Sequence, residues 1–223
     1  MRLNLRNYIR IIVFVIVFND VSDVNAGSYE DFFAAIKRDD DRGVAALLMR
    51  GFDPNTLDPD GLHGLYLSLR ERSDKVSGML LETPKIDVNA LNPKGESPLM
   101  IAALTGQNAV AEKLVRSGAD LNKTGWTPLH YAATGGNIAL MTLFLEHHSY
   151  IDAESPNGTT PLMMAAMYGT AEAVKLLLAE GAVPQLKNQQ GLTAIDFARR
   201  ANRADVADVI AGAIRKQAGP GRW

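Results

Sequence analysis

The chain has 223 residues, 47% of them hydrophobic and 22% charged, with a formal charge of -2 and no cysteine. That is the profile of a soluble folded chain of one or two domains, and it supplies no basic excess for neutralising nucleic-acid phosphates. Without cysteine, disulfides, thiol nucleophiles and thiolate metal sites are all excluded.

The first element in chain order is a leader-like segment. Arg2, Arg6 and Arg10 precede the apolar run Ile11–Phe18, and Val24–Ala26 follows after a short polar stretch. A positive start, a short apolar centre and an A-x-A-like end predict a secretory signal peptide over residues 1–26, cleaved after Ala26. Eight apolar residues are far fewer than the roughly 20 that span a bilayer. The expectation is an exported protein in the periplasm, with secretion as the alternative and no membrane association after cleavage. The remainder is long enough to bury a core without disulfides.

From residue 61 onward one pattern recurs. Aligned on a glycine, the segments are GLHGLYLSL at Gly61, GESPLMIAALTG at Gly95, GWTPLHYAATGG at Gly125, GTTPLMMAAMYG at Gly158 and GLTAIDFARRAN at Gly191. The glycines lie 34, 30, 33 and 33 residues apart. Each segment is followed by a second apolar-periodic stretch, such as AVAEKLVRSGADLN, and a degenerate first copy spans Phe32–Asn55. A fixed period of this kind identifies a repeat architecture.

These segments resemble ankyrin repeats, and TPLHYAA at Thr127–Ala133 matches the T-P-L-H-x-A signature of that family. The resemblance implies an all-α solenoid of stacked helix-turn-helix units with short β-hairpin or turn fingers. It covers about 28–55, 56–89, 90–122, 123–152, 153–185 and 186–214 within a domain at 27–214, leaving 215–223 as a flexible tail.

The residues support this reading independently. Thr127, Thr160 and Ser97 are N-cap candidates, each followed by a proline at the first helical position, where the missing N–H costs nothing. The pairs Ala102–Ala103, Ala132–Ala133 and Ala165–Ala166 let neighbouring helices approach closely. Second helices carry the bulk, at Leu114, Phe144 and Leu177, and stop at Gly51, Gly118 and Gly181, where a left-handed residue is expected. One such unit cannot bury its apolar face alone, whereas a stack can. Terminal copies need a polar outer side, which Lys37–Arg42 and Ala198–Ile210 provide.

No catalytic constellation emerges. Neither G-x-S-x-G, H-E-x-x-H nor a phosphate-binding glycine loop is present. His130 belongs to the repeat signature, so it is read as structural. His147 and His148 adjoin Glu146, but adjacent helical residues do not face one another and no third ligand has suitable spacing. His148 falls where other copies place their terminal glycine, so these histidines read as helix-end residues. The expectation is therefore a protein with no enzyme activity, cofactor or metal, with a metal-dependent enzyme that uses His147 and His148 as the lesser alternative.

Binding remains. In the family that the chain resembles, fingers and inner helices hold partner proteins. Here the finger tips are Asp58–Asp60, Asn92–Lys94, Glu154–Asn157 and Lys187–Gln190. The candidate partner-binding residues are Trp126, Tyr168, Met167, Leu104, Leu192, Arg200, Glu96 and Thr159, since exposed aromatic, arginine and apolar groups make interface hot spots. The expected protein is a monomer that binds a protein partner, to stabilise or inhibit it, with an effector or toxin-immunity role as the alternative.

One joint is irregular. Asn55, Asn89, Asp152 and Gln185 each stand six residues before their repeat glycine, but Asn122 stands only three before Gly125. Loops lose residues more readily than packed helices, so a trimmed finger is predicted there, leaving a notch beside Trp126.

Overall fold

The computed structural model describes residues 27–217. The signal peptide expected at 1–26 and most of the expected tail, 218–223, lie outside the described residues.

Helix follows helix throughout. An initial helix, α1, covers 27–37, and α2 runs Asp41–Met49, α3 Gly64–Glu71 and α4 Asp74–Leu81. Then come α5 Pro98–Thr105, α6 Asn108–Arg116, α7 Pro128–Gly135 and α8 Ile138–Glu146. The series ends with α9 Pro161–Met167, α10 Ala171–Ala179, α11 Ala194–Arg200 and α12 Ala204–Gln217. No strand forms among the described residues; one isolated bridge joins Leu57 to His63. The helix α12 continues to Gln217, three residues past the expected domain end at 214.

Two rows of helices result. Helices α3, α5, α7, α9 and α11 lie side by side as the inner row, and α2, α4, α6, α8, α10 and α12 form the outer row. The inner row can be this tight because Ala102, Ala132, Ala133, Ala165 and Ala166 are fully buried at its contacts. Leu99, Leu129 and Leu162 from the inner row meet Leu114, Phe144 and Leu177 from the outer row in one continuous core. Each repeat thus uses its neighbours to cover an apolar face that it cannot cover itself.

Caps set the helix ends. The hydroxyls of Ser97 and Thr160 accept from the N–H groups of Met100 and Met163 at 3.3 and 3.4 Å, and prolines stand first in α5, α7 and α9. Helices α2, α6 and α10 are followed by left-handed glycines, Gly51, Gly118 and Gly181, as expected. His148, at φ 63, occupies the position that Gly118 fills at φ 85.

Charge near the first repeat has more specific work than solvation. Asp40 accepts from Gly43 N–H at 2.9 Å to start α2, while Asp39 Oδ1 accepts from Lys75 and Val76 N–H at 3.0 Å each to start α4. Carboxylates at these starts also favour the positive end of the helix dipole.

Candidate partner-binding surface

The joints between repeats build the surface, and asparagines hold them. Asn55 Nδ2 donates to Lys85 O at 2.8 Å, and Asp87 N–H donates to Asn55 Oδ1 at 2.9 Å. Asn89 makes the same pair with Gly118 O and Asp120 N–H, at 3.1 and 2.8 Å. Asn122 does so with His148 O and Tyr150 N–H, at 2.8 and 2.7 Å. An asparagine can donate and accept at once, which this ladder requires. The ladder places Asn122 in register with Asn55 and Asn89, so the missing residues lie after it.

Four joints carry a complete finger. Each is closed by two backbone bonds: the N–H of Asp58, Asn92, Ser155 and Asn188 donates to the carbonyl of Leu62, Glu96, Thr159 and Leu192 at 2.9–3.0 Å, and the repeat glycine N–H donates back. Neighbouring fingers also stack. A Cβ on Gly61 would lie 3.0 Å from Pro93, one on Gly125 3.6 Å from Pro156, and one on Gly158 3.3 Å from Asn188.

The joint at Asn122–Gly125 lacks this closure, as the spacing predicted. No finger N–H reaches Trp126 O; the Lys123 ammonium does so instead, at 3.4 Å, and also binds Thr124 O at 3.0 Å. Gly95, which the missing finger would have covered, has nothing within 4 Å of an added Cβ. A cleft of about 580 Å³ opens beside the trimmed loop, bordered by Thr124, Gly125, Glu154–Pro156 and Lys187–Gln189.

Inside this edge, one slot changes chemistry from repeat to repeat. The fifth residue after the repeat glycine is Tyr66, Met100, His130, Met163 or Asp196. His130 is fully buried; its Nδ1 accepts from Thr127 N–H and hydroxyl at 3.1 and 2.8 Å. With Nδ1 accepting, the proton sits on Nε2, which donates to Thr159 O at 2.9 Å and ties this repeat to the next. Burial drives the imidazole pKa down to about 4, against the opposing pull of the Thr159 and Ala153 carbonyls. In the last repeat Asp196, an acceptor only, takes both the Thr193 N–H and hydroxyl, at 2.9 and 2.7 Å.

Glu96 is the hub of the inner face. Its Oε2 accepts from Tyr66 hydroxyl at 2.9 Å and Asn92 Nδ2 at 2.7 Å, and its Oε1 accepts from Tyr131 hydroxyl at 2.9 Å. Burial pushes this carboxyl up, but the three hydrogen bonds outweigh it and hold its pKa below the ordinary glutamate value. Burial and the Glu96 charge raise both tyrosines, Tyr66 to about 12. Three repeats are thereby joined through one carboxylate, and the Tyr131 bond spans the joint that lacks a finger. Tyr131→Phe is expected to lower stability by about 1–2 kcal/mol and Glu96→Ala by about 3 kcal/mol, since the latter strands two hydroxyls. Urea unfolding at pH 7 measures both.

The remaining expected site residues divide. Tyr168 and Leu104 are 59% and 45% exposed at the ends of α9 and α5, Arg200 is exposed at the end of α11, and Met167 and Leu192 are half-buried. Trp126 is half-buried with its ring edge-on to His130, centroids 5.1 Å apart, so it covers the repeat's interior as well as facing outward. Thr159 does not belong among contact residues. It is only 2% exposed, its N–H is held by Ser155 Oγ and its carbonyl by His130, because the finger folds over it. Glu96 is only half-exposed and its carboxylate is already engaged within the fold.

Sequence reasoning passed over Lys123, which closes the trimmed joint, and the asparagine ladder; the fixed six-residue offset was a visible sign of the latter. It also passed over an apolar groove of about 470 Å³ on the outer row, where Met49 stands exposed beside Leu48, Phe52 and Met79. No cluster of three or more potential metal ligands occurs among the described residues, and no described helix is long and apolar enough to cross a membrane.

Comparison with known proteins agrees with the geometry. A family model described as ankyrin repeats in three copies matches residues 32–124, 73–155 and 129–218. The mouse nuclear factor NF-kappa-B p105 subunit is 34% identical over 153 residues, covering 66% of this chain and 16% of that one. Human transient receptor potential cation channel subfamily A member 1 is 30% identical over 159 residues, covering 66% of this chain and 14% of that one. The chain thus spans a small part of these relatives' length. A solved structure of the predatory endopeptidase Bd0816 from Bdellovibrio bacteriovorus in complex with immunity protein Bd3460 contains a chain similar to this one. The match has a TM-score of 0.72 and 28% identity, and covers 82% of this chain and 97% of the other.

Proposed function

This chain belongs to the ankyrin-repeat family, and we propose that it is a non-catalytic protein of the periplasm that binds a peptidase there and holds it inactive. Family membership makes it a protein-interaction module. The inhibitory reading is supported by one observation: the similarity to the solved immunity-protein complex extends over nearly the whole of the matched chain, in contrast to the small fraction of the long relatives. The periplasmic reading is supported by the charge and apolar pattern of residues 1–26. An immunity protein must meet its peptidase in the compartment where that enzyme acts. Partner contact is assigned to the inner face, where Leu104, Tyr168 and Arg200 present apolar and cationic groups on α5, α9 and α11.

The test is affinity capture of a tagged full chain from the envelope fraction of its source cells, followed by a peptidase assay of the captured partner. Inhibition that rises with added chain is the expected result. Tyr168→Ala together with Leu104→Ala is expected to weaken binding by about 2 kcal/mol or more, roughly thirtyfold. A partner whose activity is unchanged or raised, or a chain found only in the cytoplasm or culture medium, would refute this reading.

A further inference from the structure

The gap left by the trimmed finger has a defined shape and a defined chemistry. On one side stands the finger of Asn92–Gly95, with Pro93 and Lys94 exposed and the flank of Gly95 bare. On the other, Pro156 packs on Gly125, so the row resumes there. Between them Lys123 occupies Trp126 O, the carbonyl that accepts a finger N–H in every complete joint.

The molecule itself shows what fits such a gap. Pro93 against Gly61 and Pro156 against Gly125 are proline-bearing turns seated on a glycine flank, each one finger wide. Gly95 offers the same flank with no turn upon it. Charge adds a second criterion, because Lys94 and Lys123 border the gap and Lys187 borders the adjoining cleft, against Glu154 in that cleft and Glu96, whose carboxylate is already taken up by Tyr66, Asn92 and Tyr131. Cationic rims of this kind select and steer anionic partners.

We propose that the gap is a docking slot for an exposed, acidic, proline-bearing turn on the partner protein, which takes the place of the absent finger. This rests on the reading that the chain binds a partner. The incoming turn lies against Gly95, its backbone N–H donates to Trp126 O, and its carboxylate receives the Lys123 ammonium released from that carbonyl. Fingers restrict a stack to its own repeats; omitting one lends a place in the row to another protein.

The probe is a disulfide-closed peptide, Cys-Asp-Pro-Asp-Gly-Cys, titrated into the full chain and followed by backbone amide shifts. Its turn copies Asp58–Gly61, which the chain closes through a 2.9 Å bond from Gly61 N–H to Asp58 O. Shifts are expected at Gly95 and Lys123–Trp126. A finger is then restored by replacing Lys123–Thr124 with the sequence of Ala90–Lys94. That variant is expected to unfold no more easily than the parent while binding the peptide at least tenfold more weakly. Lys94→Glu, which alters only an exposed side chain, is expected to weaken binding severalfold. A peptide with lysine in place of both aspartates is expected not to bind.

Absence of shifts in the parent, equal binding by the restored-finger chain, or equal binding of the lysine peptide would each overturn the slot. Dimerisation of the parent that Asp60→Lys abolishes would assign the gap to a second copy and likewise overturn it. The two readings fail separately. If the restored-finger chain inhibits the captured peptidase undiminished, the slot is wrong and the function stands; if the turn peptide binds but no peptidase is inhibited, the function falls and the slot stands.

Discussion

Alanine in place of His130 is expected to remove about 4 kcal/mol of stability at pH 7, because it leaves two buried polar groups without their partner, breaks the bond to the next repeat and opens a cavity beneath Trp126. Those groups are the Thr127 N–H and the Thr127 hydroxyl, whereas the Thr159 carbonyl keeps the Ser155 N–H and loses only the bond between repeats. Methionine is the informative comparison, since Met100 and Met163 fill the same slot in neighbouring repeats. Their sulfurs accept from the N–H groups of Ser97 and Thr160 at 3.3 and 3.4 Å. His130→Met is therefore expected to cost less than alanine, about 1–2 kcal/mol, the worth of the inter-repeat bond to Thr159.

The same residue makes stability depend on pH. Its folded pKa is about 4, below the ordinary 6.5, so between those values the unfolded chain binds the additional proton. Stability is then fully present above pH 6.5 and declines as pH falls toward 4, by up to about 3 kcal/mol in total. His63, buried and also shifted downward by desolvation, adds in the same direction. Urea unfolding of the parent and His130→Met at pH 7.5 and 4.5 isolates the contribution. Equal pH dependence in the two proteins would show that the imidazole is not the group responsible.

Gly169→Ala is expected to cost about 3 kcal/mol although it adds one methyl group. A Cβ there would lie 2.3 Å from Ala133 O and 3.0 Å from Ala165 Cα, and both of these are backbone atoms in the inner row. No side chain can turn aside to relieve the overlap, so α9 must move from α7. Gly169 is not among the residues with positive φ, unlike Gly106 and Gly136, its counterparts in earlier repeats. The requirement is thus for space at a close backbone approach. Thermal unfolding of Gly169→Ala checks this, with Gly78→Ala as the control because nothing lies within 4 Å of its added Cβ.

Much of the fold was legible because each local signal agreed with the repeat. A proline after Thr or Ser, two alanines in the next turn and a glycine at the end of the second helix recur at fixed offsets. Backbone requirements of this sort are written in residue type: only a few side chains cap a helix, and few adopt positive φ. The notch was legible for the same reason, as three residues missing between Asn122 and Gly125. The contact surface was less so. Thr159 and Glu96 share the position after the repeat glycine with Leu62, Trp126 and Leu192, and residue type does not tell which of these a finger covers.

The sequence by itself determined the architecture: a repeating helix pair whose apolar face needs neighbours, and one joint with a shortened loop. Tertiary structure alone decided how the repeats are tied. Glu96 could be recognised as a hub only when Tyr66 and Tyr131, 30 and 35 residues away, met its carboxylate. Lys123 could be recognised as a plug only when its ammonium reached the carbonyl that a finger would have filled. The physical reason is range. Helix caps and left-handed turns are satisfied within a few residues of chain, whereas a hydrogen bond between repeats depends on which groups the stacking leaves facing each other.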